Sequence, residues 1–252
     1  MLSIRRTTTA IALACAALAS HAAIAAPVKN VVLVHGFFAD GSGWKGVADI
    51  LARDGYKVAV VQEPETSLAD DVHATNRALD AMGGPSILVG HSYGGIVITE
   101  AGNHANVAGL VYVAAYQPEV GETLADLAGK IPSGSKAIKP TPDGFLYIEP
   151  ALFHADFAAD LPAPLARFMA LSQVMPAVQI TKTATTQAAW KTKPSWAIVS
   201  KSDMTINPEL ERFMSKRAGS KTTEIEGSHV AFIARPADVA KVIEEAAKSA
   251  GK

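Results

Sequence analysis

The sequence predicts an α/β protein built on a doubly wound, mostly parallel sheet of about six strands, with one helical insertion. Short apolar runs of strand length alternate with longer segments of helical spacing. The runs are continuously apolar, which is typical of strands that helices cover on both faces. The alternation stops once, between residues 117 and about 190, where prolines are frequent and the helical patterns are mixed.

Each predicted strand leads through a turn into a helical segment, except where the insertion lies. Ser67 is a candidate N-cap for the second helix, and the run Gly83-Gly84-Pro85 ends that helix. The predicted strands cover residues 30–34, 57–61, 86–89, 107–114, 195–199 and 221–225. The predicted helices cover residues 44–53, 67–82, 94–102, 208–217 and 236–247. This order indicates one domain over residues 26–252, with the insertion at about 117–190 forming a lid.

Residues 1–25 have the composition of a secretory signal peptide. Arg5 and Arg6 supply a short basic start, and residues 10–19 form an apolar run too short to span a bilayer. Small residues then lead to Ala25, after which we place the cleavage site. The sequence therefore predicts a secreted or periplasmic protein.

The rest of the chain has the composition of a globular domain that depends on its core for stability. Loss of Arg5 and Arg6 changes the formal net charge from −1 to −3, and the single cysteine, Cys15, is lost with them. A domain without cysteine forms no disulfide. No basic face indicates nucleic acid, and no later stretch is long and apolar enough to indicate stable membrane association. The oligomeric state stays open.

A sharp turn with a serine at its centre follows the third predicted strand. The sequence Gly90-His91-Ser92-Tyr93-Gly94 stands between that strand and an apolar helix, which is the context that a nucleophile elbow requires. Side chains two residues before and after the serine would collide in such a turn, so glycine is needed at both places. The following helix points its N-terminus at the serine and favours developing negative charge. We expect Ser92 to be the nucleophile of a catalytic site.

A serine nucleophile needs a base that removes its proton, and the base needs an acid that orients it. His229 follows the last predicted strand and Asp203 follows the strand before it, so both are expected at the carboxyl edge of the sheet. Glu209 is the alternative acid, but it falls on the following helix. The chain order serine, aspartate, histidine is one of the known triad orders. We expect Ser92, Asp203 and His229 to form a catalytic triad.

The loop after the first predicted strand carries residues that could stabilise an oxyanion, a task that needs two preorganised backbone N–H groups. Its sequence is His35-Gly36-Phe37-Phe38. We expect the two donors to be the N–H groups of Phe37 and of Tyr93, the residue directly after the nucleophile. Gly36 allows this loop to approach the serine closely.

Four segments together resemble the α/β-hydrolase superfamily over essentially the whole of residues 26–252. They are HGFFADGSGW, GHSYGG, the Asp203 loop and GSHVAF. Within the superfamily, the chain is most similar to the branch that contains plant methylesterases, hydroxynitrile lyases and related bacterial esterases. The resemblance implies the α/β-hydrolase fold, with the triad and the oxyanion donors at the residues assigned above.

Two neighbouring positions favour ester hydrolysis over cyanohydrin cleavage. The lyases of this branch carry a lysine directly after the catalytic histidine and a threonine in the first loop, whereas Val230 and Gly36 occupy those positions here. We therefore expect a serine carboxylic-ester hydrolase. A lyase, perhydrolase or amidase that uses the same triad stays open as the alternative, as does a non-catalytic small-molecule binding protein of this fold.

The expected partner is a small to medium apolar ester, because few charges lie among the large apolar residues of the insertion. The candidate substrate contacts are Phe38, Phe153, Phe157 and Met169. The acidic and histidine residues of the insertion match no standard metal-site spacing, and acyl transfer at a triad needs neither metal nor cofactor. These residues are His154, Asp156 and Asp160.

Overall fold

A six-stranded parallel sheet forms the centre of the molecule, as the sequence predicts. The computed structural model describes residues 28–250, so the predicted signal peptide and its cleavage site lie outside the described residues. The strands of this sheet are β1 (Asn30–Val34), β2 (Lys57–Val60), β3 (Ser86–His91), β4 (Val107–Val113), β7 (Ser195–Ser200) and β8 (Lys221–Ile225). They lie in the order β2-β1-β3-β4-β7-β8, and every neighbouring pair is parallel.

The order of the strands reverses between β1 and β3, and this reversal creates the place for a site. From β1 the chain moves outward to β2 and then returns to β3 on the other side of β1. Val34, the last residue of β1, is in register with Gly90 of β3. The loops that leave the two strands therefore start side by side at the carboxyl edge, where ligands bind in open α/β sheets.

Helices cover both faces of the sheet. The helices outside the β4–β7 connection are α1 (Lys45–Arg53), α2 (Leu68–Met82), α3 (Gly94–Ala101), α7 (Pro208–Ala218), α8 (Ala231–Ala234) and α9 (Pro236–Ala250). Because βαβ crossovers are right-handed, a change of direction along the sheet changes the face on which the helix lies. Accordingly, α1 packs with α9, and α2 packs with α3. Strands β1, β3 and β4 are covered by these layers and are almost entirely buried.

The ends of α2 show how the local sequence determines where a helix begins and ends. The Ser67 side chain accepts a hydrogen bond from the Asp70 N–H at 3.1 Å, which satisfies one of the free donors at the start of the helix. Gly83 ends the helix with a left-handed φ of 70°. Both signals are the ones predicted from the sequence.

The connection between β4 and β7, residues 114–194, is called the insert below. It consists of short helices, irregular chain and an antiparallel hairpin. Its elements are α4 (Leu124–Lys130), β5 (Ile138–Pro140), β6 (Leu146–Ile148), α5 (Pro150–Asp156) and α6 (Ala163–Ser172). Within residues 28–250, no helix combines the length and the apolar character needed to cross a membrane.

Candidate active site

Ser92 stands at a tight turn between β3 and α3. Its φ is 54°, a left-handed conformation that costs about 1–3 kcal/mol in a residue with a side chain. The turn is possible because β3 and α3 nearly touch: a Cβ atom on Gly90 would lie 2.4 Å from the Gly94 carbonyl oxygen. The sequence thus holds the hydroxyl of Ser92 in a strained, well-defined position at the edge of the sheet.

Hydrogen bonds join the three residues expected to form the triad. The Ser92 hydroxyl lies 2.8 Å from His229 Nε2, and His229 Nδ1 lies 2.6 Å from Asp203 Oδ2. Because a carboxylate can only accept hydrogen bonds, His229 Nδ1 carries the ring proton and donates a hydrogen bond to Asp203. The lone pair of Nε2 is then free to accept a hydrogen bond from the Ser92 hydroxyl. This is the arrangement in which a histidine can remove a serine proton.

Backbone donors hold Asp203 in place. Its Oδ1 accepts the N–H groups of Thr205 at 2.7 Å and Ile206 at 2.9 Å. The buried Glu211 lies beside it, and burial together with the negative charge of Asp203 raises the pKa of Glu211 well above its usual range. Burial thus favours the protonated form of Glu211 beside Asp203.

Two further contacts fix the loop that carries His229. The Ser228 N–H donates to Asp160 Oδ2 at 2.9 Å, and the Ser228 hydroxyl donates to the other oxygen of the same carboxylate. The backbone oxygen of His229 accepts a hydrogen bond from His91 Nε2 at 2.9 Å. Burial lowers the pKa of His91 well below its usual range, so this histidine stays neutral and acts as a support beside His229.

The expected oxyanion donors lie together beside Ser92. The rings of Phe37 and Tyr93 stack with centroids 4.0 Å apart and an angle of 20° between their planes. Neither backbone N–H donates to a protein acceptor within residues 28–250. A Cβ atom on Gly36 would lie 2.6 Å from the Cβ of Ser92, so only glycine lets this loop come close enough. The structure therefore brings both predicted donors to the nucleophile.

A cluster of buried acidic groups lies behind the loop that follows β1. Ligand atoms of His35, Glu63 and Glu65 all lie within 4.8 Å of one another, close enough for a metal ion. However, His35 Nε2 accepts the Glu63 N–H at 3.0 Å, so Nδ1 carries the ring proton and has no lone pair for a metal. The cluster then offers two carboxylates without a histidine ligand, which is a poor match to the donor set of a transition metal.

The candidate substrate contacts divide into two groups. Phe157 lies against the catalytic histidine, with 5.0 Å between its centroid and that of His229, and it contacts both Phe153 and Phe38. Phe38 and Met169 line an apolar pocket of about 230 Å³ between the first loop and α6. Phe153 is fully buried behind Phe157 and lines no part of that pocket.

The expected nucleophile and base are closed off from solvent in this structure. Ser92 is 5% exposed and His229 is 0% exposed. Neither residue lines the apolar pocket, whereas Phe38 lines it and also lies edge-on to Phe157 beside the catalytic histidine. Phe38 therefore lies between the pocket and the triad. It also has a left-handed φ of 64°.

Sequence reasoning did not assign the residues that support the triad. Glu211 was missed because its place on a helix gives no sign that it packs beside Asp203, and Asp160 was missed because its contact with Ser228 joins segments far apart in the chain. Asp71 was missed for the same reason, since its position in the first turn of a helix suggests only a favourable interaction with the helix dipole. Two other insert residues considered as metal ligands, Asp156 and His154, have structural partners. The Asp156 carboxylate accepts a hydrogen bond from Ser135, and His154 bonds to a backbone oxygen.

Fold, site and sequence agree on the class of protein. Residues 31–242 match the family model described as "Alpha/beta hydrolase family". The match spans most of the chain, and the chain belongs to that family. The resemblance drawn from the sequence is thereby confirmed.

Particular relatives include esterases and other hydrolases. A carbendazim hydrolyzing esterase from Nocardioides sp. (strain SG-4G) is 34% identical over 118 residues, which are 41% of this chain and 48% of that protein. The solved structure of a pyrethroid hydrolase from Sphingobium faniae JZ-2 has a TM-score of 0.74 at 20% identity, covering 88% of this chain and 98% of that one. Polyneuridine aldehyde esterase has a TM-score of 0.73 at 17% identity, covering 86% and 98%. At these identities the structural likenesses show a shared fold.

Proposed function

We propose that the protein is a serine carboxylic-ester hydrolase with Ser92, His229 and Asp203 as its triad. The observation that carries the proposal is the unbroken hydrogen-bond relay from Asp203 through His229 to Ser92, at a turn where the serine is strained. The two unengaged N–H groups beside the serine complete the set that acyl transfer needs. Membership of a hydrolase family and likeness to esterases support the same assignment.

In the first half of the reaction, the Ser92 oxygen attacks the ester carbonyl carbon while His229 Nε2 takes the hydroxyl proton. The carbonyl oxygen becomes an oxyanion and accepts hydrogen bonds from the N–H groups of Phe37 and Tyr93. Asp203 stabilises the imidazolium that forms. The carbon–oxygen bond to the alcohol then breaks, the alcohol leaves with the proton from His229, and an acyl-enzyme remains on Ser92.

In the second half, water replaces the alcohol. His229 takes a proton from the water as its oxygen attacks the acyl carbon, and the same two N–H groups hold the second oxyanion. The bond to Ser92 breaks, and the serine recovers the proton. The products are a carboxylic acid and free enzyme, so the cycle needs no metal or cofactor.

The groups around the triad support an apolar substrate and a movable insert. Phe157 and Phe38 cover the triad, and the pocket beyond Phe38 is lined mainly by apolar side chains. Because Ser92 and His229 are closed to solvent, we propose that residues 117–190 form a lid that moves to admit the ester. We assign Phe38, Phe157 and Met169 as substrate contacts, with Phe153 supporting Phe157 from behind.

The test is a panel of 4-nitrophenyl esters of increasing acyl length, assayed on the wild type and on Ser92→Ala. We expect turnover by the wild type and a loss of about 10⁴-fold or more in kcat for Ser92→Ala. His229→Ala is assayed beside them and should lose activity to a comparable degree. Its matched control is His73→Ala, which removes an exposed histidine of α2 and should keep full activity. Equal rates for wild type and Ser92→Ala would refute the proposal.

A second assay separates the hydrolase from a lyase that uses the same triad. Val230 follows the catalytic histidine and is fully buried, so that position supplies no ammonium group to stabilise a cyanide leaving group. We expect no release of cyanide from mandelonitrile under conditions in which nitrophenyl esters are hydrolysed. Cyanide release at a comparable rate would assign the protein to the lyases instead.

We also propose that the protein is exported, with cleavage after Ala25. The support is the sequence pattern alone: a basic start, a short apolar run and small residues before the cut. Expression of the full chain in a bacterial host, followed by N-terminal sequencing of the exported protein, tests the proposal. A mature protein beginning at Ala26 supports it, and retention of Met1 in the cytoplasm contradicts it.

A further inference from the structure

Tyr93 offers its backbone N–H to the oxyanion, and a buried carboxylate holds its side chain. The Tyr93 hydroxyl donates to Asp71 Oδ2 at 2.7 Å, and both residues are at most 1% exposed. Burial raises the pKa of Tyr93 well above its usual range and the charge of Asp71 raises it further, so the hydroxyl keeps its proton and stays a donor. Asp71 lies in the first turn of α2, a helix that contributes nothing to the triad.

Asp71 also holds the loop between β2 and α2. Its Oδ1 accepts the N–H of Glu65 at 2.8 Å, and Glu65 has a left-handed φ of 53°. The backbone oxygen of Glu65 in turn accepts the N–H of Ala177, which belongs to the insert, at 3.0 Å. The Asp71 carboxylate therefore links the nucleophile elbow to the loop between β2 and α2, and that loop bonds to the insert through Glu65.

The stack between Phe37 and Tyr93 extends this support to the second oxyanion donor. Because the two rings lie in face-to-face contact at 4.0 Å, a shift of the Tyr93 ring would displace Phe37 as well. Catalysis by N–H groups depends on their placement, and a misplacement of about 1 Å can cost roughly 10²-fold in rate. The Asp71 side chain, which holds Tyr93, thus affects the position of the Tyr93 and Phe37 N–H groups.

We propose that Asp71 is a positioning residue of the reaction: it fixes the Tyr93 side chain and thereby holds the Tyr93 and Phe37 N–H groups at the spacing that the oxyanion needs. This inference rests on the proposed function of those two donors. Asp71 touches no reacting atom and acts through Tyr93. The oxyanion exists only in the transition state and the tetrahedral intermediate, so loss of this support lowers kcat and leaves KM nearly unchanged.

The experiment compares Asp71→Asn, Tyr93→Phe and the double variant with the wild type. An asparagine carries an NH2 group in place of one carboxylate oxygen, so either the Tyr93 hydroxyl or the Glu65 N–H faces a donor instead of its acceptor. We expect each single variant to lose roughly 10- to 100-fold in kcat with KM changed less than about threefold. The double variant should be no slower than the slower single variant, because both changes break one contact.

Asp70→Asn is the matched control. It removes a carboxylate from the same turn of α2, but Asp70 is exposed and bonds only to Thr66 and Ser67, so kcat should stay at the wild-type level. Inhibition by phenylboronic acid, whose tetrahedral adduct on the serine occupies the oxyanion site, should weaken in Asp71→Asn and Tyr93→Phe by a factor similar to the loss in kcat. If Asp71 had only a structural role, the affinity for phenylboronic acid would not fall in parallel with kcat.

The outcomes separate the two proposals. Ser92→Ala is assayed beside the other variants, and full activity in Ser92→Ala would overturn the proposed function itself. If Ser92→Ala is inactive while Tyr93→Phe keeps the wild-type kcat, the positioning role of Asp71 is wrong and the triad stands. A rise in KM at constant kcat, or additive losses in the double variant, would also overturn the positioning role of Asp71. Tyr93→Phe deletes only one hydroxyl, so it tests the contact even if Asp71→Asn folds poorly.

Discussion

Buried carboxylates lie in two places around Ser92, and their surroundings differ. In one place, Asp203 accepts two backbone N–H groups and the ring N–H of His229, so every oxygen has a donor. In the other place, the four carboxyl oxygens of Glu63 and Glu65 are buried without a hydrogen-bond partner among residues 28–250. The nearest ring nitrogen, Nδ1 of His35, is 3.5 Å from a Glu65 oxygen.

The comparison shows how burial without hydrogen-bond donors favours the neutral form of an acid. Donors that point at a carboxylate favour its charged form, whereas burial without donors favours the protonated form. Burial, with the charge of Asp71 as a smaller cause, raises the pKa of Glu65 to about 10, and burial raises the pKa of Glu63 well above its usual range. At neutral pH Glu65 is therefore protonated, and burial favours the protonated form of Glu63 as well.

The largest effect is expected from removing the charge of Asp203. Asp203→Asn keeps the size of the side chain but cannot both accept from His229 Nδ1–H and stabilise an imidazolium. We expect kcat for a short nitrophenyl ester to fall by about 10⁴-fold, equivalent to about 5 kcal/mol of transition-state stabilisation. Steady-state kinetics over pH 6–9 measure the loss.

The folding of this variant is checked by its circular dichroism spectrum and melting curve. If Asp203→Asn folds like the wild type and retains more than about a tenth of the wild-type kcat, Asp203 is not the acid of the triad. Glu209, the alternative drawn from the sequence, lies exposed on α7 and bonds to Arg212, so Glu209→Gln should leave kcat unchanged.

A smaller effect, of at most about 4 kcal/mol on stability between pH 5 and pH 8, is expected from Glu65→Gln. Because the pKa of Glu65 is about 10 in the folded protein and near 4.5 in the unfolded chain, the unfolded chain loses the proton first as the pH rises. The folded state then holds more protons, so this group lowers the free energy of unfolding by up to about 1.4 kcal/mol per pH unit between those two values. Glutamine does not titrate, and the variant should gain stability over the wild type as the pH rises above 4.5.

Urea denaturation at pH 5 and at pH 8 measures this difference. We expect the free energy of unfolding of Glu65→Gln, relative to the wild type, to be clearly more favourable at pH 8 than at pH 5. A difference that is the same at the two pH values would mean that Glu65 is ionised in the folded protein, which would break the contrast with Asp203.

The smallest effect is expected from Glu211→Gln, beside the triad acid. Burial, with the neighbouring charge of Asp203, raises the pKa of Glu211 well above its usual range, which favours its protonated form. An amide has the same shape and also donates a hydrogen bond, so kcat at pH 7 should stay within about threefold of the wild type, under about 1 kcal/mol. A loss comparable to that of Asp203→Asn would show that Glu211 contributes its charge to catalysis.

Much of the fold could be predicted because its signals are local. The apolar run 86–89, the glycines around Ser92 and the helix that follows occupy one short stretch of chain, and the structure reproduces β3, the turn and α3 in that order. The six-stranded sheet follows from repeating this pattern, and the family match confirms it. His229 and Asp203 could be named because parallel strands bring their carboxyl ends to one edge.

The supporting contacts could not be predicted because they are set by packing between distant segments. Asp71 reaches Tyr93 across 22 positions of the chain, and Asp160 reaches Ser228 across 68. Neither aspartate stands in a motif, and each has an ordinary local explanation in a helix turn or a loop. Similarly, the aromatic residues of the insert predict an apolar covering, but only the fold shows that Phe157 contacts His229 and Phe153 does not.

The nucleophilic role of Ser92 is tested most directly by covalent labelling with an organophosphate, followed by mass spectrometry of the intact and digested protein. We predict one adduct per chain, located on the peptide that contains Ser92, with loss of esterase activity in proportion to labelling. We predict no adduct on Ser92→Ala and much slower labelling of His229→Ala, because the serine then lacks its base. An unlabelled Ser92 in a protein that still hydrolyses esters, or labelling that does not depend on His229, would contradict the proposed triad.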